Sequence, residues 1–177
     1  MELSNPGLQL VADFVNTVDL ESGEDALATA VALDDWLRAR GLWHGRASHA
    51  DLEAALAVRE ALRELMRANN GCESDAERSA RTLDDAARRL GVGVRFGPGA
   101  VQLVATEAGG VGPVLAAAGQ AMADGSWQRL KACRSDTCRW AFVDLARNRS
   151  RQWCSMQVCG NREKARAYRR RHGGDAA

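Results

Sequence analysis

Four of the five cysteines in this chain fall into two short pairs near its carboxyl end. Four residues separate Cys133 from Cys138, fifteen residues follow, and four residues again separate Cys154 from Cys159. Two such pairs form two tight turns that close around one tetrahedral metal ion. Four thiolates without an open coordination position indicate a single structural zinc ion, whose binding energy becomes folding energy for a small module.

Other uses of these cysteines are two disulfides, four unrelated buried thiols or an iron–sulfur cluster. Disulfides require an oxidising compartment, and the first ten residues, MELSNPGLQL, lack the basic start and apolar run of an export signal. The spacings match neither ferredoxin pattern. Zinc is therefore the favoured interpretation, although a spacing of four residues lies at the long end of its usual range. Cys72 lies far from the two pairs and is interpreted as an incidental thiol.

The net charge of +1 conceals a division between two halves of the chain. Residues 1–126 carry nineteen acidic side chains and eleven arginines, which gives −8, whereas residues 127–177 carry thirteen basic and four acidic side chains, which gives +9. A basic, metal-bound tail on an acidic body favours a polyanionic partner for the tail. The alternative is that the two halves dock on each other.

Short motifs surround the cysteines, and another lies near the amino terminus. The first set comprises Phe142-Val143-Asp144, Arg147-Asn148-x-Ser150-Arg151, Trp153-Cys154-Ser155-Met156 and Cys159-Gly160-Asn161-Arg162. These motifs resemble the signature of the CGNR zinc-finger family. Residues 10–18, LVADFVNTV, resemble the start of the ABATE domain that usually precedes this finger. Two departures, Ala146 where serine is common and Gln152 where a basic residue is common, lie outside the cysteines.

The resemblance spans nearly the whole chain and carries functional expectations with it. It implies a bacterial, cytoplasmic, zinc-dependent DNA-binding transcriptional regulator. In that interpretation the basic finger holds DNA, and the acidic body senses a signal or forms a homodimer.

Hydrophobic periodicity predicts an α+β fold that is mostly α. An ABATE-like helical domain at 1–126 is followed by a CGNR-type finger at 127–177, which ends in a basic helix. Apolar spacing and turn residues predict helices over 6–20, 29–41, from Ser48 or Asp51 to about 68, 75–90 and 111–123, with a β-hairpin over 92–105. Asp124-Gly125-Ser126 is where the last of these helices can break. No run of residues approaches the length of a membrane helix.

A polar cluster lies beside the apolar stripe of the first helix. Asp13, Asn16 and Thr17 are about one turn apart, and Arg59 and Arg63 of a later helix are expected to lie close enough to pair with Asp13. The favoured interpretation is structural, because buried polar clusters usually satisfy backbone groups. The alternative is a small-molecule site that includes Asp13, Asn16 and Arg59.

The finger carries further local predictions. Trp140, Phe142, Trp153 and Met156 are expected to form a miniature core under the zinc ion. Gly160 is expected to permit a tight turn after the last ligand, and Asn161 to cap the helix that follows.

Basic side chains recur along that last helix and in the loop before the third cysteine. Arginine suits phosphate recognition, because its planar fork binds two oxygens at once. The candidate nucleic-acid-binding residues are Arg147, Arg149, Arg151, Asn161, Arg162, Lys164, Arg166, Arg169 and Arg170. The alternative is a solvated basic helix without a partner.

No catalytic motif accompanies these features. None of the three histidines has a serine or cysteine partner in a nucleophile motif, and no glycine loop has the phosphate-binding pattern. The sequence therefore predicts a protein that is not an enzyme, binds one structural zinc ion and DNA, and has no membrane segment. A zinc-stabilised module that binds RNA or an acidic protein partner is the alternative.

Overall fold

The described residues form six α-helices and two small antiparallel hairpins, which confirms the predicted α+β class with helix dominant. The computed structural model describes residues 5–42, 45–106 and 110–172. The ends of both predicted domains, at 1–4 and 173–177, lie outside this range. The elements are α1 (Pro6–Val15), α2 (Ala30–Arg38), α3 (His49–Asn69), α4 (Ala76–Arg89), β1 (Val92–Gly97), β2 (Ala100–Ala105), α5 (Gly112–Ala123), β3 (Leu130–Ala132), β4 (Ala141–Val143) and α6 (Asn161–His172).

Helices α1 to α4 each begin after a residue whose side chain caps a free N–H group. The side chain of Asn5 accepts hydrogen bonds from the first turn of α1, and Pro6 suits that turn because it lacks an N–H. At α3, Ser48 and Asp51 form a reciprocal capping box. These caps set the start of α1 and of the long helix against which both halves of the chain pack.

Helix α1 is shorter than predicted and ends at Val15. The hydroxyl of Thr17 donates to the carbonyl of Phe14, and Val18 forms an isolated β-bridge with Asp25. Asn and Thr compete with helical hydrogen bonding through their own side chains. The predicted extension to residue 20 is therefore wrong, and the chain turns back immediately after the apolar stripe.

The β1–β2 hairpin forms at the predicted place, with Val92 opposite Ala105 and Gly97 opposite Ala100. It packs against α5, where the side chain of Gln120 accepts a hydrogen bond from the N–H of Leu103. A Cβ atom at Gly119 would lie 2.7 Å from the Leu103 side chain, so this helix position requires glycine for close approach.

Helix α5 breaks at the predicted place, and the chain then enters the cysteine region without leaving the core. Gly125 has a left-handed φ of 76° and precedes a 3-10 turn over Ser126–Arg129. Trp127, Leu130 and Ala132 are all buried in the same hydrophobic cluster as the residues of α1 and α3. The boundary between 126 and 127 stays a prediction, although the apolar packing runs through it.

The arginines of α3 do not pair with Asp13, and that prediction is wrong. Arg59 makes a two-point ion pair with Asp25, at 2.7 and 2.8 Å, and also donates to Thr17. Arg63, which is 1% exposed, donates at 2.7 Å to the carbonyl of Val15. Both side chains therefore hold the end of α1 and the segment after it against α3. Loss of either set of partners would leave a buried cation unpaired, which is costly.

Candidate metal centre and basic helix

The first cysteine pair lies in the turn that joins β3 to β4. Cys133 directly follows β3, and its N–H donates to the carbonyl of Trp140 at 2.9 Å. The N–H groups of Cys138 and Arg139 both donate to the carbonyl of Ser135 at 3.0 Å. This turn is the first knuckle, residues 133–140. Its backbone hydrogen bonds fix the direction of both thiols.

Side chains of α3 contact the first knuckle and hold it in place. Arg139 has a φ of 48°, a left-handed conformation that is uncommon outside glycine. Its carbonyl accepts a hydrogen bond from Arg63 at 3.2 Å, and its guanidinium lies 3.7 Å from Glu64. Arg67 reaches Asp136 at 3.3 Å. The strained turn thus persists because several α3 side chains support it.

In the second pair, Cys154 precedes and Cys159 lies within a π-helical turn over Met156–Gly160 that runs directly into α6. The hydroxyl of Ser155 caps this turn by accepting from the N–H of Val158. Asn161 lies inside the helix and donates its amide to the carbonyl of Gln157. The prediction that Asn161 caps the last helix is therefore wrong. Residues 154–160 are the second knuckle.

All four paired thiols converge, with their sulfur atoms within 4.8 Å of one another. The Sγ atoms of Cys138 and Cys154 are 3.6 Å apart, and those of Cys154 and Cys159 are 3.7 Å apart. Four sulfurs at about 2.3 Å from a tetrahedral zinc ion would be separated by about 3.8 Å. The cluster therefore fits one structural Zn²⁺, as the sequence predicts.

The pKa shifts of the clustered thiols also fit a bound cation. The pKa of Cys133 falls to about 5, because the Cys138 thiol donates a hydrogen bond to it and backbone groups of Cys154 and Ser135 assist. The same contact raises the pKa of Cys138, and burial together with the nearby Cys133 charge raises that of Cys154 to about 12. Only a shared cation allows thiols this close to ionise together.

The disulfide alternative is wrong for this structure. All five cysteines, which lie within the described part of the chain, are free thiols. The shortest sulfur separation given above, 3.6 Å, exceeds the 2.05 Å of a disulfide. Cys72 is half-buried and lies outside the four-thiol cluster.

An ion pair that the sequence analysis missed organises the loop between the two knuckles. Asp144, with 0% exposure, receives a 2.7 Å hydrogen bond from the ammonium of buried Lys131. The carboxylate also accepts from the N–H groups of Ala146 and Arg151, both at 3.0 Å. Burial raises the pKa of Asp144, but the Lys131 hydrogen bond and these backbone donors lower it further, so its pKa lies below the usual value. One hint in the sequence is that Lys131 is the first lysine of the chain.

The predicted miniature core under the zinc ion is largely wrong. Phe142 is buried, but Trp140 is 36% exposed and Met156 is 50% exposed. The first knuckle rests on the main core instead. Gly160 does not have the positive φ of a turn that needs glycine. An added Cβ would lie 2.7 Å from the sulfur of Met156, so that exposed side chain would have to move.

Helix α6 leaves the second knuckle without burying any of its residues. At 100° per residue, Arg162, Arg166, Arg169 and Arg170 fall within an arc of about 100°. We call these four residues the arginine stripe. Lys164 lies on the opposite side of the helix.

Several of the candidate basic residues are engaged within the protein. Arg166 and Arg170 of the arginine stripe approach Glu163 at 3.8 and 2.8 Å. Arg162 forms an exposed ion pair with Glu21 of the acidic body. The predicted docking of the two halves is thus present at this contact, while all of the arginine stripe remains exposed to solvent.

The loop arginines differ from one another in what they contact. Arg147 is exposed. Arg149, with a φ of 50°, donates to the side chain of Gln128 at 2.6 Å. Arg151 donates to the carbonyls of Trp153, at 2.9 Å, and Cys154. Arg151 therefore supports the backbone of the second knuckle.

The predicted N-terminal cluster separates into two places. Asn16 exchanges two hydrogen bonds with the backbone of Ala141 in β4, at 2.9 and 2.7 Å. Asp13 accepts from Gln9 at 2.7 Å and faces the same cleft as Asn16. Arg59 lies apart, in its pair with Asp25. Asn16 therefore has the structural role that the sequence analysis favoured, and it joins α1 to the strand beside the first knuckle.

Within the described residues, no helix combines the length and the apolar character needed to cross a membrane. A comparison with curated proteins gave no match.

Two family comparisons match this architecture. Residues 129–172 match the CGNR zinc finger, a range that contains both knuckles and α6. Residues 8–147 match the ABATE family, described as "Putative stress-induced transcription regulator". The two matches overlap across β3, the first knuckle and β4, the segment that shares its core with α1 and α3. The chain therefore belongs to the ABATE family and carries a CGNR zinc finger at its carboxyl end.

Proposed function

We propose that this protein is a zinc-dependent, DNA-binding transcriptional regulator without enzymatic activity. The observation that carries the proposal is the arginine stripe, which is exposed on a helix that begins two residues after the buried ligand Cys159. A helix anchored in this way presents cations in a fixed direction. Family membership supports the regulatory part of the proposal.

In this proposal Cys133, Cys138, Cys154 and Cys159 bind one zinc ion, and the ion's role is structural. Four sulfur ligands leave no position for a substrate or for an activated water molecule. The zinc ion joins the two knuckles, and α6 extends from one of them. Free thiols in close proximity also suit a reducing compartment, which supports the predicted cytoplasmic location.

Contact with DNA would occur mainly through phosphates. Each neutralised phosphate releases condensed counterions, so the logarithm of the affinity falls with the logarithm of salt concentration by about 0.9 per contact. Four to six contacts would give a slope of roughly −4 to −5. The arginine stripe, Arg147 and Arg149 are the candidate cations. Lys164 lies on the opposite side of α6, Arg151 directs Nε and Nη2 to the second knuckle, and Asn161 donates to the helix backbone.

Two single substitutions in α6 test the proposal with matched loss of charge. Arg169→Gln removes a cation from the arginine stripe, and Lys164→Gln removes one from the opposite side. Fluorescence anisotropy with a labelled 20-base-pair duplex of random sequence, across a salt series, measures the slope. We expect Arg169→Gln to weaken binding and to reduce the slope by about 1, whereas Lys164→Gln should change it little.

Two outcomes would decide against the proposal. Equal effects of the two substitutions would mean that the arginine stripe is not the contact surface. No duplex binding at low salt, with zinc content confirmed, would favour an acidic protein partner instead.

Single-stranded RNA is the second candidate ligand, because aromatic groups accompany the arginines. Tyr168 and His172 of α6 stack at 4.1 Å between ring centroids, and Tyr168 is 58% exposed. Exposed aromatic rings beside basic side chains suit unpaired bases. A single-stranded RNA of matched length in the same salt series separates the two candidates: tighter binding to RNA that Tyr168→Ala weakens would favour this one.

The proposal includes a homodimer that forms through the β1–β2 hairpin and α5. Residues 91–106 and 110–123 contain one charged side chain, Arg95, so a charged partner finds little to bind there. Phe96, Val94 and Val101 are 83%, 52% and 54% exposed. A second copy would cover these apolar groups. Light scattering after size-exclusion chromatography should show a dimer that Phe96→Glu converts to a monomer; a monomeric unsubstituted protein at 100 μM or so would exclude this part of the proposal.

A further inference from the structure

An open cleft separates α1 and α2 from the β3–β4 hairpin and the second knuckle. Its volume is about 760 Å³, within the range of small-molecule sites. Its walls include Asp13, Trp36, Arg40, Trp140, Phe142 and Arg151. Three segments distant in sequence therefore line one cleft. Cys154, one of the four candidate zinc ligands, forms part of its wall.

Two arginines at this cleft are each held over an aromatic ring. The Arg40 guanidinium lies 4.0 Å from the centre of the Trp36 ring, and the Arg151 guanidinium lies 4.7 Å from that of Phe142. Stacking of this kind restrains a long side chain. Arg40 donates Nη1 to the carbonyl of Trp36 at 3.4 Å, and Arg151 donates Nε and Nη2 to carbonyls of the second knuckle, so Nη2 of Arg40 and Nη1 of Arg151 remain for a ligand. Fixed guanidinium groups are suited to a carboxylate.

Asp13 supplies the opposite charge. Its Oδ1 accepts from Gln9 at 2.7 Å, and no Arg, Lys or His nitrogen in the described part of the chain lies within 4.0 Å of its carboxylate. The carboxylate therefore retains capacity for a cation. Asn16, by contrast, uses both ends of its amide on Ala141, so it shapes the wall and has little left for a ligand.

The rest of the wall is apolar and partly exposed. Trp140 is 36% exposed and Leu145 is 54% exposed, and both belong to the cleft. Large apolar side chains beside charged groups favour a molecule with one apolar, planar part and charged ends.

We propose that this cleft binds a small zwitterion with a planar apolar body. The ammonium group of the ligand pairs with Asp13, its carboxylate with the guanidinium groups of Arg40 and Arg151, and its body lies against Trp140. This gives the candidate effector of the N-terminal cluster a chemical class and replaces Arg59 with Arg40 as its arginine. The use of the site as a regulatory input rests on the proposed function, but ligand binding itself does not.

The cleft is connected to the metal centre through Arg151. Besides its place over Phe142, Arg151 donates to the carbonyls of Trp153 and Cys154. A ligand that spans Asp13 and Arg151 contacts both α1 and the second knuckle, so it binds the assembled state in preference to one in which the second knuckle has separated. By linkage, it slows the loss of zinc through such separation.

Three compounds of similar shape test the charge requirement. L-phenylalanine is a zwitterion, 3-phenylpropionate an anion and 2-phenylethylamine a cation. With the zinc-loaded full chain, two-dimensional ¹H–¹⁵N NMR follows the indole signals of Trp36 and Trp140, and buried Trp127 is the internal reference. We expect L-phenylalanine to bind at least fivefold more tightly than 3-phenylpropionate and the amine to bind weakest. No shift of the two cleft indoles by any compound at 10 mM or so, or tightest binding by the amine, would overturn the proposal.

Substitutions assign the two charges. Asp13→Asn should reduce the affinity for L-phenylalanine to that for 3-phenylpropionate, and Arg40→Gln should weaken both compounds by fivefold or more. Arg38→Gln is the matched control, because Arg38 is exposed on α2 and pairs with Asp34 and Asp35 instead. Similar losses for Arg38→Gln and Arg40→Gln would overturn the assignment of Arg40.

Zinc transfer to a chromogenic chelator tests the connection to the metal. Saturating L-phenylalanine should slow zinc release by threefold or more in the unsubstituted protein and leave the rate unchanged in Asp13→Asn. Equal rates with and without the compound, once NMR has shown binding, would overturn the connection. Neither experiment uses DNA, so its failure is distinguishable from failure of the salt-series test.

Discussion

The two knuckles supply equal numbers of zinc ligands, yet they are held by different forces. The first knuckle continues from β3 and β4, which share the core of α1 and α3, and α3 side chains bind its backbone. The second knuckle is followed by α6, none of whose residues is buried. Apolar burial therefore supports the first knuckle, whereas the second depends mainly on the metal. The contrast places the rigid half of the site against the body and the metal-dependent half at the end that carries α6.

Metal removal should show this contrast most strongly. We expect a strong chelator to abolish amide protection in residues 154–172, because structural zinc in small fingers contributes about 10–16 kcal/mol. Protection in β3, β4 and α3 should largely remain. Hydrogen exchange read by mass spectrometry measures both regions in one sample.

The matching control is Cys72→Ser, which should leave the zinc content at one ion per chain. Loss of protection throughout the chain at the same chelator concentration would show that the two knuckles do not differ in this way. A folded sample without zinc would show that the protein does not need the metal to fold.

The Lys131–Asp144 pair connects the two knuckles, so its loss should have the second-largest effect. Asp144→Asn leaves a buried ammonium without its counter-charge, which typically costs about 3–5 kcal/mol. Lys131→Met combined with Asp144→Asn should recover part of the loss, because the unpaired charge is then gone. Urea unfolding of the zinc-loaded proteins measures the cycle; a double variant less stable than either single one would contradict it.

The pair also predicts an acid limit. The pKa of Asp144 is lowered in the folded state, so its contribution to stability is present above the unfolded pKa of about 3.9 and is lost as the pH falls through the folded pKa. Thiolate ligands protonate at higher pH. Zinc loss should therefore precede the Asp144 transition in an acid titration that follows both metal content and unfolding.

Local sequence patterns were sufficient for the elements and for the ligands of the metal. Apolar spacing predicted the helices and the hairpin, and cysteine spacing predicted four converging thiols, because these features depend on neighbours along the chain. The predicted end of α1 was wrong, because apolar spacing continues to Val18. The side chains of Asn16 and Thr17 instead donate hydrogen bonds to the carbonyls of Ala141 and Phe14.

Contacts between distant segments could not be predicted in the same way. Arg59 could pair with any acidic residue that the fold brought near, and the structure selects Asp25. Arg40 and Trp140 gave no signal as cleft residues, because one lies at the end of a helix and the other follows the first cysteine pair. Arg40 and Trp140 line the same cleft only once α1, α2 and β4 have packed together.

Asn16 should have an intermediate effect, because it joins the body to the first knuckle through two hydrogen bonds. Asn16→Ala removes both partners of the Ala141 backbone, and each lost bond costs about 1 kcal/mol, so we expect about 2 kcal/mol in urea unfolding. Gln9→Ala, an exposed change on the same helix, should cost less than about 0.5 kcal/mol. Equal effects would mean that Asn16 does not hold β4.

The smallest effect concerns the ion pair between Arg162 of α6 and Glu21 of the acidic body. Arg162 cannot bind Glu21 and a phosphate with the same guanidinium edge, so the pair competes with DNA. Both side chains are about half exposed, so solvent screens the pair and its contribution is small. Glu21→Gln should therefore raise duplex affinity about twofold to threefold at low salt, with no measurable change in zinc content, and the gain should disappear above about 0.5 M salt. Glu24→Gln, an exposed change in the same loop, removes the same charge without touching Arg162, and the difference between the two variants isolates the competition from general repulsion. Anisotropy with the random duplex measures both. If they raise affinity equally, Arg162 does not exchange Glu21 for DNA, and only the rest of the arginine stripe can carry the contact.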